Sequence, residues 1–168
     1  MTPALREQAA ALIDAFAVKN CMIATAESCT GGLIAATLTS VNGSSRVVDR
    51  GFVTYTNEAK AEMLGVDTSL IDQHGAVSEP VARAMAEGAL SRSKAFATVS
   101  VTGIAGPGGG SETKPVGLVH FGCASKTGET IHRREVFTGD RDAVRDQTVR
   151  VAFEMLRHLI QARSNPGD

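Results

Sequence analysis

Ser28 lies in the segment Thr25-Ala26-Glu27-Ser28-Cys29-Thr30-Gly31-Gly32, between a short apolar run and a helical pattern. A hydroxyl at such a strand-to-helix junction projects from the carboxyl edge of a sheet, where open α/β sheets bind ligands. The first amides of a helix have no partner within that helix. Thr30, Gly31 and Gly32 are therefore expected to offer N–H groups to an oxyanion or a phosphate. The plain alternative, a helix cap with a flexible turn, accounts for these residues at least as well when they are taken alone. Cys29 competes with Ser28 because a thiol is the better intrinsic nucleophile. His74, His120, His132 and His158 are scattered, with none close in sequence to activate it. A buried structural thiol is the simpler assignment for Cys29.

A serine hydroxyl needs a base. In Tyr55-Thr56-Asn57-Glu58-Ala59-Lys60 a lysine stands on the first turn of an expected helix. A desolvated lysine with a lowered pKa can take the proton, with Tyr55 and Asn57 placed to hold its amine. A solvated lysine on a helix face is the bland alternative. A third segment, Thr102-Gly103-Ile104-Ala105-Gly106-Pro107-Gly108-Gly109-Gly110-Ser111, follows an apolar run. Its successive amides can form an anion-binding nest. It lacks the Gly-Lys-Ser/Thr of a P-loop and the Rossmann glycine spacing, and its alternative is a mobile surface loop. In Gly139-Asp140-Arg141-Asp142, Arg141 is either a carboxylate or phosphate ligand or a surface charge on a capped helix. His74-Gly75-Ala76-Val77-Ser78-Glu79-Pro80 reads as a turn and a helix start.

The elements that must carry these residues follow from apolar spacing. Leu5, Ala9, Leu12, Ile13 and Phe16 give a helical stripe over residues 3–18. A buried strand is expected at 21–26, then a helix containing Leu33, Ile34, Ala36, Thr37 and Leu38. After the turn signal Asn42-Gly43-Ser44-Ser45, residues 46–56 read as a strand. Asn57 is the expected N-cap of a short helix that Gly65 stops. Ser78-Glu79-Pro80 opens a helix to about Ser93, and 96–101 is a second buried strand. Residues 116–124 and 130–137 flank Lys126-Thr127-Gly128-Glu129 as an antiparallel hairpin. Asp140 caps a last helix with a face of Val144, Thr148, Val151, Met155, Leu159 and Ile160. Early alternation of helix and strand followed by a late hairpin predicts an α/β fold, a three-layer α/β/α sandwich with a mixed sheet.

The chain's 168 residues suit a single domain over 1–168, with no further linker or repeat. Seventeen basic and eighteen acidic residues leave a net charge of −1, which provides no field for nucleic acid or an anionic membrane. With no Trp and one Tyr, base stacking on a sheet is not expected. Three cysteines without CxxC spacing suit reduced thiols and a cytoplasmic location. Charges at Arg6, Glu7 and Asp14 argue against a signal peptide. No apolar run reaches the ~18 residues of a membrane span. No metal or cofactor is expected, and the exposed edge of the hairpin suggests a homodimer.

Several of these segments together resemble the CinA C-terminal domain family. They are Thr25 to Gly32, Gly51-Phe52-Val53-Thr54-Tyr55-Thr56-Asn57-Glu58-Ala59-Lys60, His74 to Pro80, Thr102-Gly103-Ile104-Ala105-Gly106-Pro107, Lys114-Pro115-Val116-Gly117 and Gly139-Asp140-Arg141. They span nearly the whole chain in the family's order. The resemblance implies a nicotinamide-nucleotide amidohydrolase, converting nicotinamide mononucleotide to nicotinate mononucleotide and ammonia. It assigns the nucleophile to Ser28 and the base to Lys60, with Tyr55 in support, and it implicates Thr102 and Arg141; Gly103, at the start of the glycine-rich segment, is a further expected substrate-site residue. Thr56 stands where Ser is common, which keeps the hydroxyl. Longer members carry a molybdopterin-binding-like domain for which this chain has no room, so the stand-alone form is expected. A non-catalytic nucleotide-binding or regulatory module is the alternative from another class.

Overall fold

The computed structural model describes residues 1–164. Helix α1, Pro3–Val18, starts on Thr2, whose hydroxyl accepts from the Leu5 amide, with proline at the first helical position. Strand β1, Ile23–Glu27, is buried at all five positions. Helix α2, Leu33–Thr39, leads through a 3-10 turn at Ser44–Arg46 to β2, Val48–Val53. Three helices follow: α3, Asn57–Leu64; α4, Thr68–His74; and α5, Glu79–Ser91. Strands β3, Ala97–Gly103, β4, Leu118–Ser125, and β5, Ile131–Val136, precede the long α6, Arg141–Ala162.

The sheet order is β2-β1-β3-β4-β5. β1 runs parallel to both β2 and β3, whereas β3–β4 and β4–β5 are antiparallel. Phe16 of α1, Leu38 of α2 and Leu156 of α6 share one apolar cluster with Val99 and Phe121. Leu64, Ile71 and Met85, from α3, α4 and α5, form a second cluster around Ala26. The sheet therefore has a helical layer on each face, the expected three-layer α/β/α arrangement. No helix among the described residues is long and apolar enough to cross a membrane.

Strand β3 bonds α5 through side-chain hydroxyls as well as apolar contact. Thr98 Oγ1 donates to Ala86 O at 2.7 Å, and Ser100 Oγ donates to Ala82 O at 2.5 Å. Thr102 Oγ1 donates to Ala76 O, just before α5, at 2.9 Å. The period of two puts all three on one face of the strand. Gly122 of β4 completes the contact, because a Cβ there would lie 2.4 Å from Ala82 O.

Four local expectations are corrected. The strand expected at 46–56 is shortened to Val48–Val53, because the chain enters it through the 3-10 turn and pairing with β1 ends at Glu27↔Val53. Tyr55 thus lies beyond the strand. The cap of α3 is Thr56, not Asn57: its hydroxyl accepts from the Ala59 amide at 3.0 Å. Helix α4 was not expected; only Ile71 is buried in it, so it shows no apolar stripe. β3 runs two residues past Val101, which takes Thr102 and Gly103 into the sheet. Gly65 does end α3, with φ 67°.

Candidate active site

α2, which follows β1, packs on one face of the sheet, while α3, α4 and α5, which lead to β3, pack on the other. A crevice therefore opens at the carboxyl ends of β1 and β3. A cavity of about 290 Å³ occupies it, and Ser28, Cys29, Lys60, Thr102 and Arg141 are in its wall. Ser28 is the first residue past β1, and its amide donates to Val101 O at 3.0 Å. That bond extends the β1–β3 ladder by one step and fixes Ser28 against the sheet.

Glu27 builds the turn beneath Ser28. Its carboxylate is fully buried and accepts from the Ile34 amide at 2.7 Å, the Ala35 amide at 3.1 Å and Thr30 Oγ1 at 2.7 Å. It satisfies amides in the first turn of α2 that the helix leaves open. Burial raises its pKa, against the pull of those hydrogen bonds. Gly31 and Gly32 take φ of 58° and 101°, a region costly for other residues. The Gly31 amide donates to Ser28 O, and Thr30 O accepts from Arg145 at 2.9 Å. Thr30, Gly31 and Gly32 are thus parts of the turn and are absent from the cavity wall.

Lys60 is 1% exposed, which is rare for a lysine. Its Nζ lies 3.1 Å from Ser28 Oγ, 3.0 Å from Thr54 O and 3.5 Å from Thr56 O. Among the described residues it has no carboxylate partner, and burial lowers its pKa. A neutral amine has two protons and one lone pair. With the protons on the two carbonyls, the lone pair faces the Ser28 hydroxyl. Thr54 also donates its amide to Glu27 O at 2.8 Å. One peptide segment therefore anchors Lys60 and the residue preceding Ser28.

Tyr55 and Asn57 do not hold the amine as expected; two backbone carbonyls do, a role that no residue type advertises. Tyr55 is exposed, and its hydroxyl accepts from Arg141 Nη2 at 3.1 Å. Arg141 Nη1 donates to Gly106 O at 2.9 Å, so this guanidinium joins the glycine-rich loop to Tyr55 at the cavity mouth. The loop supplies Gly103 to Gly106, Gly108 and Gly109 to the wall. Ala76 and Val77 form part of the wall too, although their segment read only as a turn. The bond from Thr102 to Ala76 O fixes that part.

Cys29 faces the cavity, but burial pushes its thiol up to about 12, with the nearby Glu27 charge adding to the rise. It stays protonated and is a poor nucleophile in that form. None of the four histidines lines the cavity. His120 Nδ1 of β4 meets His132 Nε2 of β5 at 2.9 Å. Among the described residues no three His, Cys, Asp or Glu side chains converge as metal ligands would.

A serine within reach of a desolvated lysine, in a cleft at the carboxyl edge of a mixed sheet, is an arrangement able to carry out acyl transfer. The chain belongs to the CinA C-terminal domain family, whose model matches residues 5–160. The nicotinamide-nucleotide amidohydrolase PncC of Escherichia coli strain K12 is 55% identical over 143 residues, 85% of this chain and 87% of that protein. A CinA-like protein of Mycobacterium marinum is 55% identical over 138 residues, and there the match spans 32% of the longer protein. The crystal structure of the competence/damage inducible protein CihA from Agrobacterium tumefaciens superposes with a TM-score of 0.93 at 52% identity. That match covers 95% of this chain and 97% of that one.

Proposed function

We propose that this protein is a nicotinamide-nucleotide amidohydrolase that converts nicotinamide mononucleotide to nicotinate mononucleotide and ammonia. The observation that carries the reading is the buried Lys60 amine 3.1 Å from Ser28 Oγ, with two carbonyls to take its protons. The names of the close relatives supply the substrate. In this reading Ser28 Oγ attacks the carboxamide carbon as Lys60 accepts its proton. The oxyanion is received by backbone amides, and strand geometry indicates which. Val101 O faces β1, and the Ile104 amide faces β4. Alternation then points the Gly103 amide to the β1 side, past the end of β1 and beside Ser28. The Cys29 amide, next after the nucleophile, is the second donor. These replace the amides of Thr30, Gly31 and Gly32 in that role.

The Lys60 ammonium passes its proton to the departing nitrogen, which leaves as ammonia. Lys60 then takes a proton from water as that water attacks the serine ester. Ester cleavage returns a proton to Ser28 Oγ and frees the acid. Arg141, oriented by Tyr55 and Gly106, carries the positive charge at the mouth that suits the substrate phosphate. Thr102 and the amides of the 103–110 loop complete the substrate site. The reading extends to a single-domain chain that works as a homodimer.

The test is mass analysis of nicotinamide mononucleotide incubated with the purified protein. The expected result is a gain of about one mass unit, from amide to acid, with ammonia released. Ser28→Ala should remove nearly all turnover, and near-normal ammonia release by that variant would refute the mechanism. Tight binding of the nucleotide by the unaltered protein without turnover would refute the function and favour a regulatory module.

A further inference from the structure

A second cavity, of about 580 Å³, opens at the opposite end of the central strands. Residues 20–22 lead into β1 there, whereas Ser28 leaves β1 at the other end. Five strand residues separate the two, so the cavities lie roughly 17 Å apart along the sheet. Arg46, Lys94, Lys126 and Arg163 line this second cavity, and among the described residues no acidic side chain does. Among the described residues none of the four forms an ion pair: the bridges found involve Arg50, Arg83, His132, Arg133, Arg145 and Arg150. On a chain whose net charge is −1, four cations around one concavity are a marked local excess.

The rim is anchored to the fold. The Lys94 amide is held by Asp49 Oδ2 at 2.8 Å, and that carboxylate is engaged by Arg50 at 2.9 Å. The Lys126 amide donates to Phe96 O at 3.0 Å. The Arg163 guanidinium stacks over the Phe96 ring at 4.4 Å and contacts Cys21 Sγ. Burial raises the pKa of that thiol, against the fields of Arg163, Lys19 and Lys126. Lys19 is itself spent on the carbonyls of Ile160 and Arg163.

We propose that this cavity binds an oligophosphate group, either free or carried by a nucleotide. Two to four negative charges match the four cations. The concave wall brings these charges together, so their fields add instead of dispersing into solvent. The site is separate from Ser28 and does not depend on the amide chemistry proposed above.

The test is calorimetric titration of the full chain with inorganic tripolyphosphate and, separately, with adenosine triphosphate. Runs are made at low and at physiological ionic strength. Saturable binding that weakens with salt is expected. Lys94→Glu/Lys126→Glu should weaken it at least tenfold, and both residues are exposed, so an unchanged melting temperature without ligand verifies the fold. Arg141→Ala should leave it unchanged. Equal binding of the two probes assigns the site to the phosphate chain alone, and tighter binding of the triphosphate nucleotide assigns it to the nucleotide form; either sustains the proposal. Absence of binding overturns it. So does binding that survives the double reversal, or that is lost with Arg141→Ala, because the anion then sits beside Ser28.

Discussion

At the scale of single residues, the proposed chemistry depends on whether Lys60 holds two protons or three. Its neutral form points a lone pair at Ser28; its charged form donates to all three oxygens and activates nothing. Because burial lowers its pKa, activity should fall as pH drops through a value below the ordinary lysine range of about 10.4. A pH–rate profile of kcat/KM checks this, and an acid limb at or above that value would contradict it. Below the same lowered pKa Lys60 costs the fold stability, and the cost is relieved as pH rises toward the unfolded value. Lys60→Arg cannot deprotonate and should lose roughly 10²–10⁴-fold in kcat, as steady-state ammonia release would measure. Ser28 and Lys60 were legible as residue types through the motifs they stand in. Their distance, the burial and the two carbonyls were not, because nothing in a side chain signals where a main-chain oxygen will point.

At the scale of elements, α2 depends on a residue outside it. Glu27 Oε1 and Oε2 take the Ile34 and Ala35 amides, and Oε1 also takes the Thr30 hydroxyl. Glu27→Ala would strand these donors in the interior and should cost about 2–4 kcal/mol of stability. A urea titration checks this, and an unchanged midpoint would show that the turn re-forms without the carboxylate. Elements with a strong apolar stripe were readable: α1 has the expected limits, and α6 starts at the expected Asp140 cap. α4 was missed because one buried side chain makes no pattern. β2 was overextended because its apolar residues continue past the point where its partner ends. The hydroxyls of Thr98 and Ser100 bind α5 from β3, and that of Thr102 binds the segment just before it, long-range contacts that local sequence does not encode.

At the scale of the molecule, the mixed sheet has two edges, β2 and β5. The proposed homodimer predicts a light-scattering mass near twice the chain's 17.5 kDa, and a value at 17.5 kDa would refute it. The three layers were legible from the order of helix and strand patterns. The strand order was not, because nothing local tells β1 to lie between β2 and β3. That order brings Ser28 and Lys60 together from 32 residues apart, through the Thr54 segment docked on Glu27. In the proposed mechanism the nucleophile thus has no base until β2 has joined β1. A nascent or partly unfolded chain carries an inert serine and an ordinary charged lysine, so it cannot attack amides in its surroundings. On the proposed mechanism, the protein acquires its reactivity only on reaching its final shape.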